Sequence, residues 1–345
     1  MKDSFQTRAP QPSLSALKQP QFNMKITKPE IRLAMLGMIE GNGHPYSWSA
    51  IVNGYNPEEM ASCPFPVIPQ YLAEVPGNTM RILGARVTHV WTDDPKDAPR
   101  IAAASKIENV VTSPQEVIGQ VDAVVIGTDD GHEHVRRTRP FIEAGLPVFV
   151  DKPLAINIPD LNQFIRWHNA GKIFLSSSNM RYAPEMKQVL RQRTQLGELR
   201  WIAACTCKTW ERYAIHALEA IWPVLGPGFL GVRTESRPGS DIAYITHRSG
   251  VQINLAAIYD AVGSYGSLHV FGTKGNLGIT CWDTYTSFRN QLVAFVEMLH
   301  TGDRPYPLSE TIEMMAVIIA GIRSRERGGQ FIEIGEIQSE LDLPH

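Results

Sequence analysis

From Ile31 onward, short unbroken apolar runs alternate with longer stretches in which apolar residues recur every three or four positions. That pattern predicts parallel strands joined by crossover helices. The run Ile31 to Leu36 reads as a first strand buried on both faces. After it, Trp48, Ile51, Val52 and Tyr55 fall at helical spacing, with Pro45 suited to the first helical position and Gly54 to the stop. Residues 85–94 form a second strand ending in two acids, 121–128 a third and 146–150 a fourth. Pro114 to Gly119 and His132 to Ala144 read as helices between them. The order predicts a Rossmann-type doubly wound parallel sheet, whose ligands sit at the carboxyl ends of the strands.

The second half changes period. Val251, Ile253, Leu255, Ala257 and Tyr259 fall on one face of a strand and Gln252, Asn254 and Asp260 on the other, as in an antiparallel sheet covered on one side. Residues 268–280 read as two strands joined by a turn at Thr273 to Gly275. Phe288, Leu292, Phe295, Val296 and Leu299 make a helical stripe, and a last long helix starts near Ser309 and stops at Gly328 and Gly329. The expected architecture is α/β: a flexible arm over 1–29, poor in large apolar groups, a dinucleotide-binding domain over 30–153, and an α+β domain with an open, largely antiparallel sheet over 154–345. Met24 is a second possible start of translation.

Charge and cysteine content narrow the class. Lys plus Arg number 33 against 35 Asp plus Glu, and a net charge of −2 supplies no attraction for nucleic acid or an anionic membrane. Cys63, Cys205, Cys207 and Cys281 are too scattered for a disulfide framework or a CxxC metal knuckle, so no metal site is expected. No apolar run reaches the length of a membrane span, and no secretory leader is evident, which predicts a cytoplasmic protein.

The turn after the first strand carries the first candidate chemistry. Gly37 stands where a phosphate-binding turn needs its first glycine, whereas the second and third positions hold Ile39 and Asn42. Gly41 and Gly43 can re-route the loop, and the helix N-terminus around His44 and Pro45 offers amides and a favourable dipole to a diphosphate. Asp93 and Asp94 stand where a carboxylate takes the adenosine ribose hydroxyls and repels a 2′-phosphate, which favours NAD over NADP. They follow Gly37 at far more than the usual interval, so an insertion intervenes. The proline-rich segment 55–80 is that insertion, expected near the mouth of the site.

Lys152, in the run VFVDKPLA (148–155), lies just after a strand. That run is similar to the Glu-Lys-Pro signature of the glucose–fructose oxidoreductase / inositol dehydrogenase (Gfo/Idh/MocA) family, with Asp151 in place of Glu. Further matches follow in the family's order: VDAVVIGT with a histidine-bearing loop, EAGLPVFVDKPLA, NMRYAP (179–184), LGELRWI (196–202), HALE (216–219) and FGTKGNLGI (271–279). The resemblance spans about residues 31 to 335. It implies a nicotinamide-dependent oxidoreductase of sugars, polyols or related hydroxy compounds, with Lys152 and His216 facing the reacting carbon.

The family's Gly-x-His-x-x-Asp segment is altered here: Glu219 stands for the Asp, Ala214 or Ile215 replaces the glycine, and Arg212 stands four before the histidine where the family often has Asp. A lysine near a positively charged nicotinamide suits a base for a hydroxyl proton. His216 can share that proton, Glu219 one helical turn on can fix its tautomer, and Tyr213 can donate to a substrate oxygen. Thr128, Asp129, Asp151 and Lys152, with Gly37, Ile39, Gly41, Asn42, Gly43, His44, Asp93 and Asp94, are the expected cofactor contacts. Asp130, His132 and His134 rank behind them. The resemblance also implies a homodimer or homotetramer and a small-molecule substrate. Two other readings stay open, an NAD-dependent glycosidase and a non-catalytic ligand sensor.

Overall fold

The computed structural model describes Leu14, Leu17 and residues 25–77 and 80–344. The first sheet is parallel, in the order β3-β2-β1-β4-β5-β6, made of β1 (Ile31–Leu36), β2 (Ala85–Trp91), β3 (Asn109–Val110), β4 (Ala123–Ile126), β5 (Val148–Val150) and β6 (Phe174–Leu175). Its polypeptide runs past residue 153 to Leu175. β1 is buried at every position except Arg32 because it lies between β2 and β4, with helices on both faces. Leu36 pairs with Trp91 on one side and Ile126 on the other. The strand order therefore reverses at β1, and Gly37, Asp93 and Thr128 emerge side by side in the crevice such a reversal opens.

The connecting helices are α1 (His44–Asn53), α2 (Pro57–Met60), α3 (Val67–Ala73), α4 (Asp97–Ser105), α5 (His134–Glu143) and α6 (Ile158–Asn169). α1 begins with Pro45 in its first turn and ends at Gly54, φ +78°. Residues 114–117 make a short 3-10 turn in place of the helix expected to Gly119.

After α7 (Met186–Gln192) comes a mixed sheet in the order β12-β11-β7-β10-β9-β8-β13: β7 (Leu199–Cys207), β8 (Phe229–Arg237), β9 (Ser240–His247), β10 (Gln252–Ile258), β11 (Ser267–Gly272), β12 (Gly275–Thr280) and β13 (Ile332–Glu333). It is antiparallel except where β10 pairs with β7. α8 (Trp210–Leu225) and α10 (Leu308–Glu326) cover one face; α9 (Thr284–Thr301) reaches back to α1, and α11 (Ile334–Gln338) ends the chain's ordered elements. Val251, Ile253, Leu255 and Ala257 are buried as their alternation requires. Tyr259 breaks it at 62% exposure because β10 has ended at Ile258 and the backbone has turned.

Most of the expected flexible arm, Met24 included, lies outside the described residues. The described part is docked. Leu17 is buried in the core, Ile26 N donates to Leu299 O at 2.9 Å, and Lys28 Nζ meets Asp122 at 2.5 Å. Among the described residues no helix is long and apolar enough to cross a membrane, and no cluster of metal-ligating side chains occurs.

Candidate active site

The glycine turn is built tightly. Gly37 has φ +88° and donates its amide to Trp91 O at 2.8 Å. A Cβ there would stand 2.8 Å from Thr128 Cγ2 and 3.2 Å from Arg137 Nη1, so both backbone and space require glycine. Asp93 Oδ2 accepts from Met38 N at 3.0 Å, and the Asp93 carboxylate is held by both terminal nitrogens of Arg137, at 2.8 and 3.2 Å. Asp94 is turned the other way, accepting from Lys96 N at 3.0 Å before α4. The Thr128 hydroxyl is buried and has no hydrogen-bond partner among the described residues.

Several expected cofactor contacts serve the turn itself. Asn42 donates from Nδ2 to Gly127 O at 3.3 Å and to Asp151 Oδ2 at 3.1 Å, and its Oδ1 accepts from His44 N at 2.8 Å. It takes the place of a third glycine by tying the loop down with side-chain hydrogen bonds. Ile39 O accepts from Asn42 N, closing the same loop. Asp151 is fully buried and lies 2.5 Å from His44 Nδ1; burial raises its pKa, but His44 and Lys152 together hold it below the usual carboxylate range. It anchors His44 instead of facing open space. The His44 ring is stacked on Trp48 at 4.3 Å.

At the other end of the crevice, α8 brings three side chains to one place. Trp210 seats the helix against α10, where Gly321 leaves room for its indole, and Arg212, Tyr213 and His216 project toward the parallel sheet. Lys152 is 2% exposed, with Nζ 3.2 Å from Asp129 Oδ2, 3.4 Å from Arg212 O and 4.4 Å from the centre of the Tyr213 ring. Arg212 Nη2 bonds the other Asp129 oxygen. Burial works to raise the Asp129 pKa, yet the two cations hold it far below the usual value. Lys208, left-handed at φ +57° just after β7, donates to Gly41 O at 2.9 Å and lies 4.5 Å from the same tyrosine ring. Burial, with Lys152 and Arg212 nearby, lowers its pKa despite the opposing pull of Asp129.

His216 is 3% exposed. Burial, followed by the charges of Lys152 and His44, lowers its pKa well below 6.5, which keeps the imidazole neutral at pH 7. Its Nδ1 faces Ser178 Oγ at 2.7 Å and Tyr265 OH at 3.1 Å, and Tyr265 OH donates to Asn179 Oδ1 at 2.8 Å. The expectation that Glu219 orients the ring is corrected here. Glu219 bonds Arg181 Nε and accepts from Ser178 N at 3.4 Å, because a fully buried carboxylate is held by the largely buried cation next to it. The residues missed in the sequence are therefore Ser178, Tyr265, Lys208 and Arg212. The NMRYAP motif pointed at the loop of the first, but Lys208 had no signal beyond its place after a strand.

A cavity of about 360 Å³ opens between these elements. Gly41, His44, Lys208, Tyr213, His216 and Tyr265 line one side. Phe65, Val67, Ile68 and Tyr71 of the 55–77 segment line the other with Phe288, which puts the insertion at the mouth as expected. Asp130 and His134 have local roles: Asp130 caps His132 N at 3.0 Å, and buried His134 bridges Thr128 O and Pro153 O at 2.6 and 2.9 Å.

Residues 70–174 match the model of an oxidoreductase family with an NAD-binding Rossmann fold. The chain has the fold, and in part the sequence, of the Gfo/Idh/MocA family. Myo-inositol 2-dehydrogenase from Lactobacillus plantarum superposes with a TM-score of 0.70 at 15% identity, over 89% of this chain and 99% of that one. Scyllo-inositol dehydrogenase from Lactobacillus casei, solved with NAD(H) and scyllo-inositol, gives 0.67 at 15% identity over 88% and 99%. An oxidoreductase from Agrobacterium radiobacter, in complex with NAD+, L-tartaric acid and magnesium, gives 0.65 at 16% identity over 89% and 99%. No curated protein matches the sequence. The matched family model is that of an NAD-binding Rossmann fold, and the crevice suits such a cofactor: the buried Thr128 hydroxyl, without a partner among the described residues, and the glycine-only approach at Gly37 meet at the strand reversal.

Proposed function

We propose that the chain is an NAD-dependent oxidoreductase acting on the hydroxyl-bearing carbon of a sugar, polyol or related compound. The observation that carries this reading is one cavity bordered by the turn segment Gly41 to His44 and by Tyr213 and His216, with Lys152 in contact with the Tyr213 ring. When bound, NAD accepts or returns the hydride. Gly37, Thr128 and Asp93 would hold its adenosine diphosphate end, Asp93 after loosening its pair with Arg137; Asp94, turned toward Lys96, has at most an outer role.

The protein's own part is proton handling and charge. His216, neutral because it is buried, accepts the hydroxyl proton, while Ser178 and Tyr265 keep its ring oriented. Lys152, paired with Asp129, supplies positive charge beside the oxygen that becomes negative, and Tyr213 donates to that oxygen. In the opposite direction the proton returns along the same contacts. We place the cofactor domain in the parallel sheet and the substrate and homo-oligomer surfaces in the mixed-sheet domain. The test is incubation of the protein with NAD and a panel of sugars, polyols and glycosides, following NADH absorbance and released products. Net NADH formation with an oxidised product supports the reading. Glycoside cleavage without net NADH would replace it with a glycosidase, and binding without either would replace it with a sensor.

A further inference from the structure

Accepting that cavity as the substrate site, we infer that the substrate carries an apolar, ring-sized group next to the reacting carbinol, so that the preferred ligand is an aryl- or alkyl-bearing hydroxy compound and not a bare polyol. The two walls are unlike. The His216 wall offers donors and acceptors. The apolar lining is Phe65, Val67 and Ile68 from the insertion, with Phe288 and, in the turn before Tyr265, Val262.

Val67 and Val262 are 60% and 68% exposed, so among the described residues their apolar surface is left largely uncovered at the cavity. The one tyrosine hydroxyl among the lining residues of the insertion is already used: Tyr71 OH is bonded to Ser47 Oγ. A ring with a hydroxyl at every carbon would bury several of them against this wall without partners, which is penalised, whereas an apolar group there leaves water and is rewarded.

The wall is also fixed. Gly43 has no space for a side chain: a Cβ would stand 2.6 Å from Ile68 Cδ1 and 2.7 Å from Phe65 Cδ2. The insertion is thus docked on the first turn of α1, and its apolar residues stay in the cavity.

The experiment compares matched probes in the presence of saturating NADH by calorimetry: phenyl against methyl β-D-glucopyranoside, the same pair in the galacto configuration, and myo-inositol. The inference expects a phenyl member to bind roughly tenfold or more tightly than its methyl partner, by the area it buries. In Phe65→Ala, and in the surface variant Val67→Asn, which cannot disturb the core, that ratio falls toward one. Equal affinities within each pair, tightest binding by myo-inositol, or no binding of any glycoside would overturn it. Parallel assays with NAD separate this inference from the oxidoreductase reading. A phenyl preference without NADH formation leaves the apolar subsite standing and removes the reaction; NADH formation without the preference does the reverse.

Discussion

The two walls of the cavity are made by opposite means. One is backed by an ionic cluster: next to His44 and Tyr213, which line the cavity, Asp129 and Asp151, buried at strand ends, gather Lys152, Arg212 and His44 around them. The other is apolar and comes from the segment added between β1 and β2, resting on Gly43. Buried charges keep their arrangement only while every member is paired, whereas an apolar wall tolerates change as long as it is covered. The ionic wall should therefore fix the chemistry and the apolar wall the choice of substrate.

The sharpest way to break that contrast is to remove the centre of the ionic wall. Asp129→Ala leaves Lys152 buried without its carboxylate, and urea unfolding should show a loss of about 3 kcal/mol. The same truncation at Phe65, which is only partly buried, should stay near 1 kcal/mol. Similar losses at the two positions would erase the distinction.

Next in size is His216→Ala, which removes the proton acceptor. Turnover should fall about 100-fold, or about 2.7 kcal/mol, with NADH affinity little changed. Tyr265→Phe should lower it less, since Ser178 still holds the ring; a Tyr265→Phe loss as large as that of His216→Ala would give the tyrosine a direct role.

At the far end of the crevice, Asp93 should favour NAD over NADP, and Asp93→Asn should narrow the ratio of dissociation constants by about tenfold. If calorimetry finds NADP bound as tightly as NAD by the unaltered protein, Arg137 has neutralised that carboxylate and the preference is lost.

The smallest effect is on stability against pH. The folded-state pKa of His216 lies below its unfolded value near 6.5, so the folded protein resists taking up that proton. The stability is intact above pH 6.5 and is lost as pH falls below it, by at most about 1.4 kcal/mol per pH unit for this one group. The slope should be shallower in His216→Asn, a comparison in which the other histidines cancel.

Much of this was readable along the chain. β1 runs from Ile31 to Leu36 as its apolar run predicts, and α1 stops at Gly54. Asp93 and Lys152 sit at strand ends because parallel strands deliver their next residues to one edge. The short edge strands β3 and β6, two residues each, had no period to detect, and α4, rich in alanine, had too weak a stripe. The partners of His216 lie 38 and 49 positions away, on a loop and beside a sheet edge, and such distances are set by packing and not by local spacing. Glu219 failed for the same reason: its helical position brings it close to the histidine, but the nearer Arg181 claims it.

Lys152 is where the account is most exposed. Methionine at that position keeps much of the side chain's volume and removes only the charge and the hydrogen bonds. With a substrate found from the panel, the rate of NADH formation by Lys152→Met should drop about 100-fold or more while NADH binds within a few-fold of the unaltered protein. Turnover at the unaltered rate would mean that the ion pair with Asp129 is structural and that the chemistry lies elsewhere in the cavity.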